Sequence, residues 1–229
     1  MLNNSGPNSF PFEAVLWDMD GTLLDSEPIW IEEEAKLMES LGVDWNEEDA
    51  RICLGGPMHR VDLYMRNRSG NRHKPLELSG LLIERMVARL NESVNFTPGA
   101  ESLLNELHEM GIPMALVTAS TREIVTAALS SIGPHYFLRT ISANDVRETK
   151  PHPEGYLTAS SHLNVSIERS LIIEDSLTGM SAAIDSGAYV LGIPHFYDLP
   201  TGEKVRHVKS LEKIDAQALT NLFQEIILV

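Results

Sequence analysis

Short apolar runs separated by amphipathic stretches decide the fold class of this chain. Residues 14–17, 113–117, 137–141, 171–173 and 188–193 are apolar runs too short for helices and read as buried strands. Helical patterns lie between most of them. Residues 101–110 put Leu103, Leu104 and Leu107 on one face and Glu101, Glu106 and Glu109 elsewhere, and Gly111 follows as a stop. Further helices are predicted over 121–131, 153–163 and 177–186, with Gly133-Pro134 and Gly187 ending the first and last. Strands that alternate with helices predict an α/β fold, a Rossmann-like parallel sheet with helices on both faces.

One segment breaks the alternation. Residues 29–95 contain no convincing strand and read as helices over 29–41, 47–54, 58–66 and 76–90. That is too much chain for one crossover helix, so an inserted all-helical cap domain is expected over 26–96. Its hinges are expected near 25–28 and 95–98, where Pro28 and Pro98 lie. The catalytic core is then residues 12–25 plus 97–229. Residues 1–11, polar with Gly and Pro, are expected to be a flexible tail.

Charge and cysteine content narrow the partners. Asp and Glu number 33 against 18 Lys and Arg, a net charge of −15. Nucleic-acid affinity rests on basic side chains neutralising phosphates, so no nucleic acid is expected, nor an anionic membrane surface. A small anionic substrate stays compatible, because a local positive pocket can sit in a negative protein. Cys53 is the only cysteine, so neither an intrachain disulfide nor a thiolate metal cluster can form. No secretory signal is visible, and no apolar run approaches the ~18 residues of a membrane span. A cytoplasmic protein is expected.

Ligands of open parallel sheets gather at the carboxyl ends of the strands. The first predicted strand ends on Asp18-Met19-Asp20-Gly21-Thr22 and the second on Thr118-Ala119-Ser120. Lys150 follows the third, and the fourth ends on Glu174-Asp175. Each group has an ordinary reading, as a turn, a helix cap or a solvated lysine. Together, at four strand ends, they converge on one site. Asp18, Asp20 and Asp25 fall within eight residues, and carboxylates so close repel unless positive charge receives them. Oxygen ligands without nearby Cys or His suit a hard cation, Mg²⁺.

The motifs "DMDGTLLDSEP", "LVTAS", "KPHPEGY" and "IIEDSLTGMSAAIDSG" resemble the four motifs of the haloacid dehalogenase-like hydrolases, and the inserted helices resemble that family's helical cap. The nearest branch is that of sugar-phosphate phosphatases and beta-phosphoglucomutases. The resemblance implies that Asp18 is the nucleophile and Asp20 the general acid and base. It implies Mg²⁺ held by the Asp18 and Asp175 carboxylates and the Asp20 backbone carbonyl, with Glu174 beside the ion. Thr118 and Lys150 would hold phosphoryl oxygens, with Ala119 and Ser120 next to them. In the cap segment "CLGGPMHRV", His59 or Arg60 faces the substrate or is merely solvated; Arg122 has the same two readings. No role is assigned to Asp25, His152 or His195.

The expected activity is a Mg²⁺-dependent phosphatase acting on a small phosphorylated metabolite, a sugar phosphate first, through an aspartyl phosphate. A phosphomutase is the alternative, although Trp30 stands roughly where the mutases carry a histidine. A non-catalytic binding protein of the same fold is the third reading. A monomer is expected.

Overall fold

The computed structural model describes residues 10–53, 57–195 and 198–227. Strand β1 (Ala14–Trp17) has all four side chains buried. It pairs in parallel with β2 (Met114–Val117) on one side and β4 (Ser170–Glu174) on the other. Beyond them lie β3 (Arg139–Ile141), β5 (Tyr189–Gly192) and β6 (Val205–His207), giving a parallel sheet in the order β3-β2-β1-β4-β5-β6. Central strands buried on both faces have no polar side, which is why they read as unbroken apolar runs.

The chain divides into two compact units. One holds the residues up to Leu24, Phe96–Thr118 and those from Pro134 onward; the other holds Asp25–Asn95 and Ala119–Gly133. In the sheet unit, α5 (Ala100–Glu109), α7 (Glu154–Leu163), α8 (Leu177–Asp185) and α9 (Ala216–Ile227) accompany the strands. Tyr156 and Ala159 of α7 and Met180, Ala182 and Ala183 of α8 share a core with Leu16, Ile172 and Val190. Each large side chain so buried contributes roughly 1.5–3 kcal/mol. Leu103, Leu104 and Leu107 of α5 are buried, as their spacing predicts. Gly99, at φ 86, precedes α5 where a Cβ would stand 2.2 Å from the Leu211 carbonyl, so only glycine fits.

The helical unit contains α1 (Glu27–Ser40), α2 (Glu47–Cys53), α3 (Met58–Arg68), α4 (Glu77–Glu92) and α6 (Arg122–Ile132). Buried acids pin these helices together, each with partners that offset its desolvation. Asp49 of α2 accepts from Arg68 Nε at 2.7 Å and Tyr64 Oη at 2.6 Å, both of α3. Asp62 of α3 accepts from the backbone N–H of Leu76 and Ser79 at 2.9 and 3.1 Å, fixing the start of α4. Glu33 of α1 receives Arg89 of α4 at 2.9 Å. Its neighbour Glu34 differs: burial alone pushes its carboxyl up to about 8. The helix α6 packs on α4, with Ser131 Oγ donating to the Leu90 carbonyl at 2.5 Å.

At the point where the chain leaves and re-enters the sheet unit, Leu24 bridges Phe96 in antiparallel fashion. Among the described residues, no helix is long and apolar enough to cross a membrane. Residues 1–9 of the expected tail, and Gly55 and Gly56 of the expected cap loop, lie outside the described residues.

Candidate active site

The β1 ladder runs one residue past the strand: Asp18 N–H donates to the Ile173 carbonyl at 3.1 Å, which leaves a buried carboxylate at the strand's carboxyl end. The chain then turns tightly, with Leu24 N–H returning to the Met19 carbonyl at 2.9 Å. Gly21 makes this turn at φ 83, and a Cβ there would stand 2.4 Å from Asp175 Oδ2. The turn is thus pressed against Asp175. Thr22 Oγ1 completes the contact, donating to Asp175 Oδ1 at 2.7 Å.

Lys150 brings the positive charge that the carboxylates require. Its ammonium donates to Asp18 Oδ1, to Glu174 Oε1 at 2.7 Å and to the Val117 carbonyl at 2.9 Å. An ammonium has three donors, and all three are engaged. Burial would lower the Lys150 pKa, but the adjoining Asp18 and Glu174 carboxylates outweigh it and raise it. Lys150 is therefore a fixed cation.

Glu174 is fully buried and saturated with donors. Oε1 also accepts Tyr156 Oη at 2.7 Å. Oε2 accepts the backbone N–H of Asp175 and Ser176 at 3.0 and 3.2 Å, and Ser176 Oγ at 3.2 Å. On the other side of β1, Thr118 N–H donates to the Ile141 carbonyl at 2.9 Å and its Oγ1 to Asp20 Oδ2 at 3.2 Å.

Lys150 does not hold Asp18 in the usual carboxylate range. Burial first, then the charge of Glu174, pushes the Asp18 carboxyl up to about 7 in spite of Lys150. Carboxylate oxygens of Asp18, Glu174 and Asp175 lie within 4.8 Å of one another. An all-oxygen donor set of clustered carboxylates fits a hard divalent cation such as Mg²⁺.

Asp18, Asp20, Thr118, Lys150, Glu174 and Asp175 all belong to the sheet unit; Lys150 ties Asp18 to Glu174, and Thr118 ties Asp20. Ala119, Ser120, His59, Arg60 and Arg122 belong to the helical unit. His59 and Arg60 are exposed in the first turn of α3, and Arg60 Nη2 donates to the Ile52 carbonyl at 3.1 Å. Thr22, Tyr156, Ser176 and His195 join the site without a role assigned from the sequence. Thr22, Tyr156 and Ser176 stand inside the quoted motifs, so their position is the available signal. His195, whose Nε2 lies 3.0 Å from the Gly21 carbonyl, stood in none.

A family model described as haloacid dehalogenase-like hydrolase matches residues 15–193, most of the chain. The chain belongs to this family. Among relatives of this haloacid dehalogenase-like hydrolase, the validoxylamine A 7'-phosphate phosphatase of Streptomyces hygroscopicus subsp. limoneus is 31% identical, over 82% of this chain and 88% of its own. Hexitol phosphatase B of Escherichia coli strain K12 is 32% identical, over 74% and 78%. The crystal structure of CbbY from Rhodobacter sphaeroides in complex with phosphate superposes with a TM-score of 0.75 at 28% identity, covering 89% of this chain and 96% of that one. Family and relatives together make the chain a phosphoric monoester hydrolase of the haloacid dehalogenase-like type.

Proposed function

We propose that this hydrolase uses Mg²⁺ and an aspartyl-phosphate intermediate to remove phosphate from a small phosphorylated carbohydrate. The observation that carries this reading is the buried Asp18 carboxylate held by Lys150 beside Glu174, with Asp20 two residues beyond and tied to Thr118. Asp18 attacks phosphorus, a phosphorus–oxygen bond forms, and the bond to the leaving alcohol breaks. Asp20 gives its proton to that alcohol, then takes one from the water that cleaves the acyl phosphate. Thr118 and the fixed charge of Lys150 face the phosphoryl oxygens. Asp18, Asp175 and the Asp20 carbonyl would hold Mg²⁺, which supplies charge neutralisation for the phosphoryl group. Glu174, its oxygens already taken by donors, orients that set. The substrate class rests on relatives named for a hexitol and for validoxylamine A 7'-phosphate.

The test is phosphate release from a panel of sugar and polyol phosphates with and without Mg²⁺, together with acid-stable trapping of labelled phosphate on Asp18. Mg²⁺-dependent release and a label absent from Asp18→Asn are expected. Conversion of beta-glucose 1-phosphate to glucose 6-phosphate without net release would replace the phosphatase reading with the mutase. Silence across the whole panel would favour a binding role.

A further inference from the structure

We infer that His195 is a positioning residue that braces the turn carrying the general acid. The inference rests on the role of Asp20 proposed above. A carbonyl can only accept, so in the 3.0 Å contact His195 Nε2 carries the hydrogen and donates to the Gly21 carbonyl. The strand register delivers the ring there. Ile193 N–H donates to the Glu174 carbonyl at 2.8 Å, so the chain leaves β5 beside the end of β4, and His195 follows two residues later.

Gly21 stands between two residues of the site. Asp20 precedes it, and Thr22, the donor to Asp175, follows it. The turn is confined on one side by Asp175, which leaves no room for a Cβ at Gly21. On another, Thr97 Oγ1 holds the Thr22 carbonyl at 2.5 Å. The two peptides that meet at Gly21, whose positive φ suits glycine, are each held: the Asp20–Gly21 peptide through the Gly21 N–H by the Leu24 carbonyl at 2.8 Å, and the Gly21–Thr22 peptide through the Gly21 carbonyl by His195. Freeing that carbonyl lets the Gly21–Thr22 peptide rotate about the Gly21 Cα, and Asp20 stands directly across that Cα, one peptide away. A misaligned acid hurts cleavage in proportion to how much the leaving group needs a proton.

The readout is therefore leaving-group dependence. Phenyl phosphate and p-nitrophenyl phosphate differ little in shape, but the phenolate leaves far less readily without protonation. For His195→Ala, kcat/KM on phenyl phosphate is expected to fall about 3- to 10-fold, and on p-nitrophenyl phosphate by less than about twofold, with an unchanged melting midpoint. His195→Gln, which keeps an N–H donor on a neutral side chain, is expected to restore most of the loss. Asp20→Asn is the reference and should show the same discrimination, larger. If Asp20→Asn lowers both esters equally, the acid assignment fails and the inference with it. If Asp20→Asn discriminates while His195→Ala lowers both equally or neither, the inference alone is overturned. Failure of His195→Gln to recover activity also overturns it.

Discussion

Gly179 and the Glu174 carboxylate share space that only a hydrogen atom can leave open: a Cβ on Gly179 would stand 1.7 Å from Glu174 Oε1. The first turn of α8 therefore closes over the very carboxylate that receives Lys150 and Tyr156. Gly179→Ala is expected to displace Glu174 and, through Lys150, Asp18. Phosphate release should fall about 10²-fold, the cost of roughly an ångström of misplacement. Steady-state kinetics with a circular-dichroism check of folding would decide it; wild-type turnover would show that Glu174 tolerates displacement.

Lys150→Met removes the ammonium bonded to Asp18 and Glu174 while keeping a side chain of similar length. Two buried carboxylates lose their shared partner, so a stability loss of about 3–5 kcal/mol is expected, alongside loss of activity. Urea titration measures the first and phosphate release the second. A variant as stable as the parent would mean the cluster finds its charge balance elsewhere.

Glu34 gives a pH dependence with a definite sign. Its carboxyl is pushed by burial from 4.5 up to about 8. Between those values the folded state holds a proton that the unfolded state has lost, so stability falls as pH rises and levels off above about 8. Glu34→Gln keeps the shape and removes the titration, and should gain roughly 1–3 kcal/mol at neutral pH. Denaturation midpoints at acid, neutral and alkaline pH would test this; equal slopes in parent and variant would count against it.

Leu76 stands before α4 at φ 65 with 59% of its surface exposed. A left-handed backbone costs an ordinary L-residue about 1–2 kcal/mol, and asparagine adopts it more readily. Leu76→Asn is expected to raise the melting midpoint, because an exposed leucine has little burial to lose. A lower midpoint would show that Leu76 packs more than its exposure suggests.

The sequence was most legible where several signals coincided. Ala14–Trp17 was found as a strand because it is apolar throughout and ends on Asp18. The helices between 27 and 92 showed their periodicity, and the observed ends shift by a few residues at most. The third strand was expected over 137–141 but spans Arg139–Ile141, since Leu138 is 59% exposed and its apolarity misled. Beyond residue 193 no element was drawn. Val205–His207 is too short and too polar to reveal a strand; for α9 the spacing of Leu219 and Phe223, four apart and both buried, is the signal the sequence holds. Within the site, residue types pointed to the strand ends. They did not reveal that Glu174 would be saturated by donors, because bonds such as Tyr156 to Glu174 span 18 positions.

The pairing of α6 with α4 bears on how this chain is made. The helical unit draws on two stretches, Asp25–Asn95 and Ala119–Gly133. A ribosome that has released only the first has not yet delivered the helix against which α4 packs. The α6-facing side of α4 stays bare until residue 133 emerges, and by then β1 and β2 have both been synthesised. The helical unit is consequently not an excisable cassette: a fragment cut at 25 and 95 would leave uncovered the side of α4 that α6 packs on, and a complete one would need the α6 segment grafted back.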